Sequence, residues 1–259
     1  MKMTPTAVDT SLFPEDIKKF MRGADIYDSS CSPEARVYFI DKDEGYFLKC
    51  ASRSSLKREA ELDGYFHTLG LGPRVLLYTS SCKDFLLTER VRGEDLTDKK
   101  YLSEPRKLAE TLGRTLRNLH EVCPAACPVQ NRTEEYIKTV GENFRRGLFD
   151  TTFARVKFNS PDDAYRIFLD GKDALKSDVL IHGDYCLPNI VMKDWQLSSF
   201  IDLGCAGVAD RHIDIFWGAW TLNFNLSTDE WRGTFYDAYG RDKIDTDLVE
   251  LIGIAECFA

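Results

Sequence analysis

The stretch HGDYCLPN, residues 182–189, decides the fold, together with FIDLG at 200–204, which follows two short apolar runs. Asp184 and Asn189 stand five residues apart on one loop, and Asp202 follows after a strand-like segment. Phosphoryl transfer needs such oxygen-bearing side chains, because one carboxylate must orient and deprotonate the attacking hydroxyl while others hold Mg²⁺ on the phosphates. We therefore assign Asp184 as the catalytic base, and Asn189 and Asp202 as magnesium ligands.

The tripeptide His-Gly-Asp is weak evidence for a catalytic loop on its own. Here Asn occupies the fifth position after Asp184, an apolar run comes next, and a second run ends in Asp-x-Gly. The alternative is a solvated turn, since Asp and Asn also favour turn geometry. The combined pattern favours the catalytic interpretation.

The first third of the chain alternates short apolar runs with turns. Four runs have the composition of β-strands, and one helical stretch lies between the second and the third. The runs cover residues 36–40, 45–51, 74–78 and 84–91, and the helix covers 56–69. This order predicts a small antiparallel sheet that carries one helix.

From Gly93 onward the composition becomes helical. The segment 104–122 repeats leucine at helical spacing, as expected of a helix that packs on a core. Further helices are predicted over 133–149 and 162–175, and three more after Arg211. Three strand-like pieces around the catalytic loop interrupt this half, so the predicted fold class is α+β.

Lys49 lies inside an apolar strand-like run, where an unpaired ammonium group would be costly to bury. Glu59 on the following helix can pair with it, and Glu61 is the rival. In kinases a strand lysine held by a helix glutamate steadies the nucleotide phosphates. An edge-strand lysine that reaches solvent is the alternative, and the downstream loop favours the phosphate-binding role.

A loop of small residues around Ser30 offers backbone N–H groups that could approach phosphates. It lacks the G-x-G-x-x-G pattern, and the chain has no Walker A loop. The loop at Ser30 is therefore the candidate for phosphate contact.

The composition indicates a folded, acidic protein. A chain of 259 residues with 43% hydrophobic content can bury a sizeable core. The 34 basic and 42 acidic side chains give a net charge of −8, which disfavours nucleic-acid partners and suits cationic ligands. No signal peptide or membrane-spanning run is evident, so we expect a cytoplasmic monomer or weak dimer without membrane contact.

The eight cysteines are scattered and show neither the spacing of a zinc site nor the density of a disulfide scaffold. Cys123 and Cys127 come closest to a metal motif, and their prolines favour an ordinary loop. We expect reduced thiols, which leaves a metal-binding or redox protein as a distant alternative.

Together these motifs resemble the aminoglycoside phosphotransferase family, and most fully its 3′-phosphotransferase branch. The resemblance covers most of the chain, including HGDYCLPN, FIDLGCAGVADRHIDI at 200–215 and AECF at 255–258. It implies a protein-kinase-like fold with a mainly β nucleotide-binding lobe over 1–92, a mainly α catalytic and substrate-binding lobe over 93–259, and the nucleotide between them. It also implies transfer of phosphate from ATP or GTP, with Mg²⁺, to the 3′-hydroxyl of an aminoglycoside, conferring antibiotic resistance.

The resemblance assigns roles to individual residues. Those assigned to the nucleotide are the pair Lys49 and Glu59, the adenine-stacking Phe47, and the backbone of Glu89 and Val91 at the adenine edge. Those assigned to the substrate are Asp184, Glu256 and Phe258, since acidic side chains recognise polycations. Asp214 and His182 resemble residues that support the catalytic loop.

Several positions depart from the family pattern on the substrate side. Ala255 stands where a second acid is common, and Cys205 replaces an arginine. The phosphotransfer motifs are intact, so the departures concern the choice of acceptor. A macrolide, choline, homoserine or sugar-amine kinase remains an alternative, as does a non-catalytic nucleotide-binding protein.

Overall fold

The computed structural model describes residues 3–31, 33–154 and 157–259. Its strands are β1 (Thr4–Pro5), β2 (Asp25–Asp28), β3 (Ala35–Asp41), β4 (Tyr46–Ser52), β5 (Val75–Ser80), β6 (Lys83–Glu89), β7 (Glu94–Asp95), β8 (Val179–Ile181), β9 (Ile190–Lys193), β10 (Gln196–Phe200) and β11 (Gly207–Ala209). Its α-helices are α1 (Glu15–Met21), α2 (Lys57–Thr68), α3 (Lys99–Leu102), α4 (Pro105–His120), α5 (Arg132–Arg145), α6 (Pro161–Gly171), α7 (His212–Leu226), α8 (Arg232–Tyr239) and α9 (Thr246–Ala255). The predicted α+β class is confirmed.

The chain forms two compact units, and each unit is made of two separate segments of the sequence. The first contains the residues up to Asp95 together with Ile190–Gly204. The second contains Leu96–Asn189 and Cys205–Ala259. The lobes over 1–92 and 93–259 stay a prediction about how the binding functions are divided.

The first unit contains a six-stranded sheet in the order β1-β2-β3-β4-β6-β5, in which every neighbouring pair is antiparallel. Side chains alternate between the two faces of β4. Leu48 and Cys50 belong to the apolar cluster that contains α1. Ala51 packs in a second cluster with Leu56, at the start of α2. Lys49 therefore shares the face that α2 covers.

Asp84 holds the beginning of α2. Its carboxylate accepts hydrogen bonds from the backbone N–H groups of Ser54 (2.8 Å) and Leu56 (2.9 Å), and from the Tyr78 hydroxyl (3.0 Å). The bond to Leu56 satisfies a donor that the start of a helix leaves without an intrahelical acceptor. The helix that follows buries Glu59, Leu62, Asp63 and Phe66.

A second sheet of the first unit, in the order β10-β9-β7, leads into the segment that carries Asp202. The ring of Phe200, at the end of β10, packs edge-on against Phe66 of α2 with centroids 6.4 Å apart. A Cβ atom at Gly93, where φ is +119°, would lie 2.2 Å from the Met192 carbonyl oxygen. Glycine is therefore required before β7.

The second unit is mainly helical and contains the short antiparallel pair β8 and β11. The leucines of α4 are buried as their spacing predicts: Leu108, Leu112, Leu116 and Leu119. A separate apolar core joins α5, α6, β8, α7 and α9, and it contains Val140, Phe168, Ile252 and Phe258.

Two helices end earlier than predicted. The sequence analysis extended them to 149 and 175, whereas α5 ends at Arg145 and α6 at Gly171. Gly147, with φ +72°, donates its N–H to the Phe144 carbonyl oxygen, and the N–H of Leu148 returns to Asn143. These bonds close the C-terminus of α5 through a left-handed glycine.

The sequence analysis did not predict α1, β1 or β2. The helix α1 is only seven residues long, and Ile17 and Met21 are its buried side chains. Two buried apolar positions in so short a segment give too little periodicity to identify a helix. In the described ranges, no helix has both the length and the apolar character needed to cross a membrane.

Candidate active site

The side chain of Asp214, in the first turn of α7, binds the backbone of the catalytic loop. Its carboxylate accepts hydrogen bonds from the N–H groups of His182 (2.7 Å) and Gly183 (2.8 Å), and it lies 3.2 Å from His120 Nε2. Asp214 is fully buried, so these groups replace water around it. Gly183 has φ +83°, and a Cβ atom there would lie 2.1 Å from the Cys205 carbonyl oxygen. These are the contacts that a loop-bracing residue would make.

The loop brings Asp184 and Asn189 together. Asn189 lies in the 3-10 turn Leu187–Asn189, and its Nδ2 donates to the backbone oxygen (3.0 Å) and to Oδ2 (2.8 Å) of Asp184. His182 is fully buried, and its Nδ1 accepts the Asp184 N–H at 3.3 Å. The Asp184 carboxylate is thus held in one orientation, which a group that positions a hydroxyl requires.

Two residues that support the catalytic loop, Cys186 and Thr221, were missed by the sequence analysis. The Cys186 thiol hydrogen-bonds to the Asp184 carboxylate and to Thr221, and burial, followed by the charge of Asp184, raises the pKa of this thiol. Thr221 Oγ1 also accepts the Leu187 N–H at 3.2 Å. Thr221 lies 34 residues away from Leu187 on α7, so no local pattern could have revealed these contacts.

In the first unit, Lys49 bridges two carboxylates. Its Nζ lies 2.8 Å from both oxygens of Glu59 and 2.7 Å from Asp202 Oδ1. The rival Glu61 is exposed and faces Lys57 at 3.8 Å. Lys49 therefore pairs with Glu59 rather than with Glu61.

Burial and charge compete at this ion pair. Burial acts to lower the pKa of Lys49, but the charges of Glu59 and Asp202 outweigh it and raise that pKa. Burial raises the pKa of Glu59, and the charge of Lys49 opposes this shift. The Lys49 side chain is 21% exposed, so it is not fully removed from solvent.

Three other residues predicted for the nucleotide lie in the first unit. Phe47 is half-buried, and its ring lies 5.2 Å from that of Phe39. Glu89 ends β6, where its N–H donates to the Arg74 carbonyl oxygen and its carboxylate pairs with the same arginine at 3.1 Å. The Val91 N–H donates to none of the described residues, so it is available to an acceptor such as an adenine edge. Their roles stay predictions.

Ser30 lies at the start of the small-residue loop. Its N–H donates to Asp28 Oδ1 at 2.9 Å, and its hydroxyl accepts the Val37 N–H at 3.0 Å. Both groups are engaged within the protein, so phosphate contact by Ser30 stays a prediction. Ser32, in the same loop, lies outside the described residues.

The predicted substrate residues Glu256 and Phe258 are buried in the second unit. Glu256 is 7% exposed, accepts the Tyr136 hydroxyl at 2.8 Å and is hydrogen-bonded by Trp217. Burial, to which the charge of Asp184 adds, raises the pKa of Glu256 to about 7. The Phe258 ring is 2% exposed within the aromatic core. Direct substrate contact by either stays a prediction; Tyr136 and Trp217, which the sequence analysis missed, orient the Glu256 carboxylate.

The residues assigned to Mg²⁺ have suitable oxygens. Among the described residues, no donor occupies Asp202 Oδ2 or Asn189 Oδ1, because Lys49 binds the other Asp202 oxygen and Asn189 uses its nitrogen toward Asp184. The Asp202 side chain is 53% exposed. No cluster of three or more His, Cys, Asp or Glu side chains in the described ranges could hold a metal ion. Mg²⁺ prefers oxygen ligands, so the free oxygens of Asp202 and Asn189 are chemically suitable for it.

A model of the phosphotransferase enzyme family matches residues 33–251, most of the chain. A protein of Lactococcus lactis subsp. lactis (strain IL1403), named probable aminoglycoside 3′-phosphotransferase, is 46% identical over 97% of both chains. The aminoglycoside 3′-phosphotransferase of Niallia circulans is 30% identical over 82% of this chain and 84% of its own.

Solved structures support the fold. An aminoglycoside phosphotransferase of the 3″ type from Streptomyces rimosus superposes with a TM-score of 0.77 at 22% identity, over 93% of this chain and 94% of its own. The same enzyme in complex with ADP and streptomycin gives a TM-score of 0.73 at 23% identity, over 86% and 90%. At this level of identity the similarity concerns the fold.

Proposed function

Because the chain belongs to the phosphotransferase enzyme family, we propose that it transfers the γ-phosphate of ATP or GTP to the 3′-hydroxyl of an aminoglycoside and thereby confers resistance. The observation that carries the substrate is the 46% identity, over 97% of both chains, to the Lactococcus lactis protein. The 3′ position rests on the names of that relative and of the Niallia circulans enzyme.

The first unit binds the donor in this proposal. Lys49, held by Glu59 at 2.8 Å, contributes a positive charge to the phosphates. Phe47 stacks on the base, and the backbone of Glu89 and Val91 pairs with its edge. Asp202 and Asn189 would hold Mg²⁺ through their oxygens, and the ion would supply positive charge for the transferred phosphoryl group.

The second unit activates the acceptor. Asp184 accepts the proton of the substrate hydroxyl and orients its oxygen for in-line attack. Asn189 and Cys186 keep the carboxylate in place, and Asp214 keeps the loop in place. In this proposal catalysis is therefore mainly positioning and electrostatic stabilisation.

The test is a magnesium-dependent transfer assay with ATP and GTP against aminoglycosides that carry or lack the 3′-hydroxyl. We expect turnover only with 3′-hydroxylated compounds, together with a higher inhibitory concentration in a susceptible host that expresses the protein. Asp184→Ala should abolish transfer while it retains nucleotide binding. Asp242→Ala, which removes an exposed acid of the same unit, should behave as the wild type. Turnover of 3′-deoxy compounds would contradict the proposed position.

A second candidate is a kinase of the same fold that acts on another small hydroxylated molecule. Burial of Glu256 favours it, because the predicted substrate acid does not offer an exposed carboxylate to a polycation in this structure. In the same assay, nucleotide binding without turnover of any aminoglycoside would contradict an aminoglycoside acceptor, and turnover of another acceptor would select this candidate. Macrolide, choline, homoserine and sugar-amine acceptors would then be tested.

A further inference from the structure

Asp63 is a buried carboxyl group to which neither the sequence analysis nor the proposed mechanism gives a role. It lies on the buried face of α2, one turn after Glu59, and is 3% exposed. Its Oδ1 is fully buried without a hydrogen-bond partner among the described residues. A buried polar group of this kind costs free energy.

The surroundings of Asp63 disfavour its ionised form. Burial is the main effect that raises its pKa well above the ordinary value. Glu59 on its own helix and Asp202 after β10 raise the pKa further, and Lys49 on β4 lowers it. The one cation of this cluster is already shared, since Lys49 contacts both Glu59 and Asp202. Its burial and its unpartnered oxygen therefore make Asp63 the acid of the cluster whose ionised form is least favourable.

We propose that Asp63 is a positioning residue that acts through Lys49: as a neutral acid it leaves this lysine available to an anionic nucleotide, and as a carboxylate it weakens nucleotide binding. The inference rests on the proposed function in so far as Lys49 contacts the nucleotide phosphates.

The charges of the cluster give the direction of the effect. With Asp63 neutral, Lys49, Glu59 and Asp202 together carry one net negative charge, and ionisation of Asp63 makes this two. The added charge lies one helical turn from the group that holds Lys49, in a poorly solvated region where Coulomb interactions are strong. It repels the phosphates and competes for the ammonium of Lys49.

The first test measures the affinity of the full-length protein for ADP, with Mg²⁺, from neutral to alkaline pH. We expect the affinity of the wild type to fall by about tenfold as Asp63 ionises. Asp63→Asn, which cannot ionise, should remove this decrease. Glu61→Gln is the matched control, because it removes an exposed acid from the same helix and should keep the wild-type profile. Parallel profiles for the wild type and Asp63→Asn would overturn the inference.

A second test needs no variant and guards against misfolding of Asp63→Asn. Carbon-13 labelling of aspartate carboxyl groups lets NMR follow their titration without interference from the buried Glu256. We expect one aspartate carboxyl to remain protonated at neutral pH and to titrate in the range where ADP affinity falls. If every aspartate is ionised at neutral pH, the inference is wrong.

The two proposals fail in different ways. ADP binding with the expected pH dependence, but without phosphate transfer to any aminoglycoside, would overturn the proposed substrate and leave the role of Asp63 intact. ADP binding without pH dependence would overturn only the role of Asp63. Absence of ADP binding at every pH would overturn both.

Discussion

At the scale of single residues, the surroundings of Glu256 change the acidity of its carboxyl group. Its carboxyl group is buried, and hydrogen bonds from Tyr136 and Trp217 offset part of the cost of burying its charge. Its pKa is nevertheless raised to about 7, so the group changes charge near neutral pH. A cation bound nearby would favour the ionised form.

This shift predicts a pH-dependent stability. Because the folded-state pKa of Glu256 lies above its ordinary value of 4.5, its contribution to the free energy of unfolding is fully present below pH 4.5. That contribution is lost as the pH rises through about 7. Relative to Glu256→Gln, the wild type should lose up to about 3 kcal/mol across this interval, measured by urea unfolding at several pH values.

The control for this prediction is Glu250→Gln, which removes an exposed acid of the same helix, α9. Its free energy of unfolding should follow the wild type across the same pH range. If the free energy of unfolding of Glu256→Gln has the same pH dependence as that of the wild type, Glu256 does not titrate near neutral pH.

At the scale of elements, α2 determines whether Glu59 reaches Lys49. The helix begins at Lys57, and Asp84 of β6 holds this end through Ser54 and Leu56. Burial raises the pKa of Asp84, but hydrogen bonds from Ser80, Ser54, Leu56 and Tyr78 together outweigh it and lower that pKa. Asp84, on the sheet, therefore holds the start of α2, although the two are distant along the chain.

Replacement of Asp84 should destabilise the first unit. Asp84→Ala leaves buried donors without an acceptor, and we expect the free energy of unfolding to fall by about 2–4 kcal/mol near neutral pH. Because the folded-state pKa of Asp84 is lowered, this difference should shrink as the pH falls into the acidic range. Thermal and urea unfolding of the wild type and the variant, at neutral and at acidic pH, measure this difference.

The comparison for Asp84 is Asp9→Ala. Asp9 also accepts a backbone N–H, that of Ser11 at 2.9 Å, but in an exposed turn where water can replace it. This variant should change the stability little. An equal effect of the two substitutions would contradict the importance of burial at Asp84.

At the scale of the whole molecule, the eight cysteines fall into an exposed and a buried class, and none is in a disulfide. Four are exposed: Cys31, Cys82, Cys123 and Cys205. Four are buried: Cys50, Cys127, Cys186 and Cys257. Burial raises the pKa of each buried thiol, which lowers the fraction of reactive thiolate further.

Thiol titration of the native protein should therefore show two classes. We expect four groups to react rapidly with an aromatic disulfide reagent and the other four to react after unfolding in denaturant. Mass mapping of the labelled peptides identifies each class. Rapid labelling of Cys186 in the native protein would contradict the buried position of its thiol beside Asp184.

Much of the fold could be predicted because its signals are local. The apolar run around Lys49 and the leucine repeat of α4 each indicate a secondary structure within a short segment. The helix α1 was not predicted because it is short. The end of α5 was predicted too late because the glycine that closes this helix was not recognised. Element boundaries depend on a few terminal hydrogen bonds, which periodicity does not encode.

By itself, the sequence determined which chemical groups are present and in what order: a strand lysine, a helix glutamate and a loop that carries Asp184 and Asn189. Only the tertiary structure decided which groups meet and how far water is excluded from them. It paired Lys49 with Glu59 and Asp202, and it buried Asp63, because contacts between distant segments depend on packing rather than on spacing along the chain. Burial in turn sets the charge of an acid, which is why the pKa of Glu256 could not be anticipated from its neighbours in the chain.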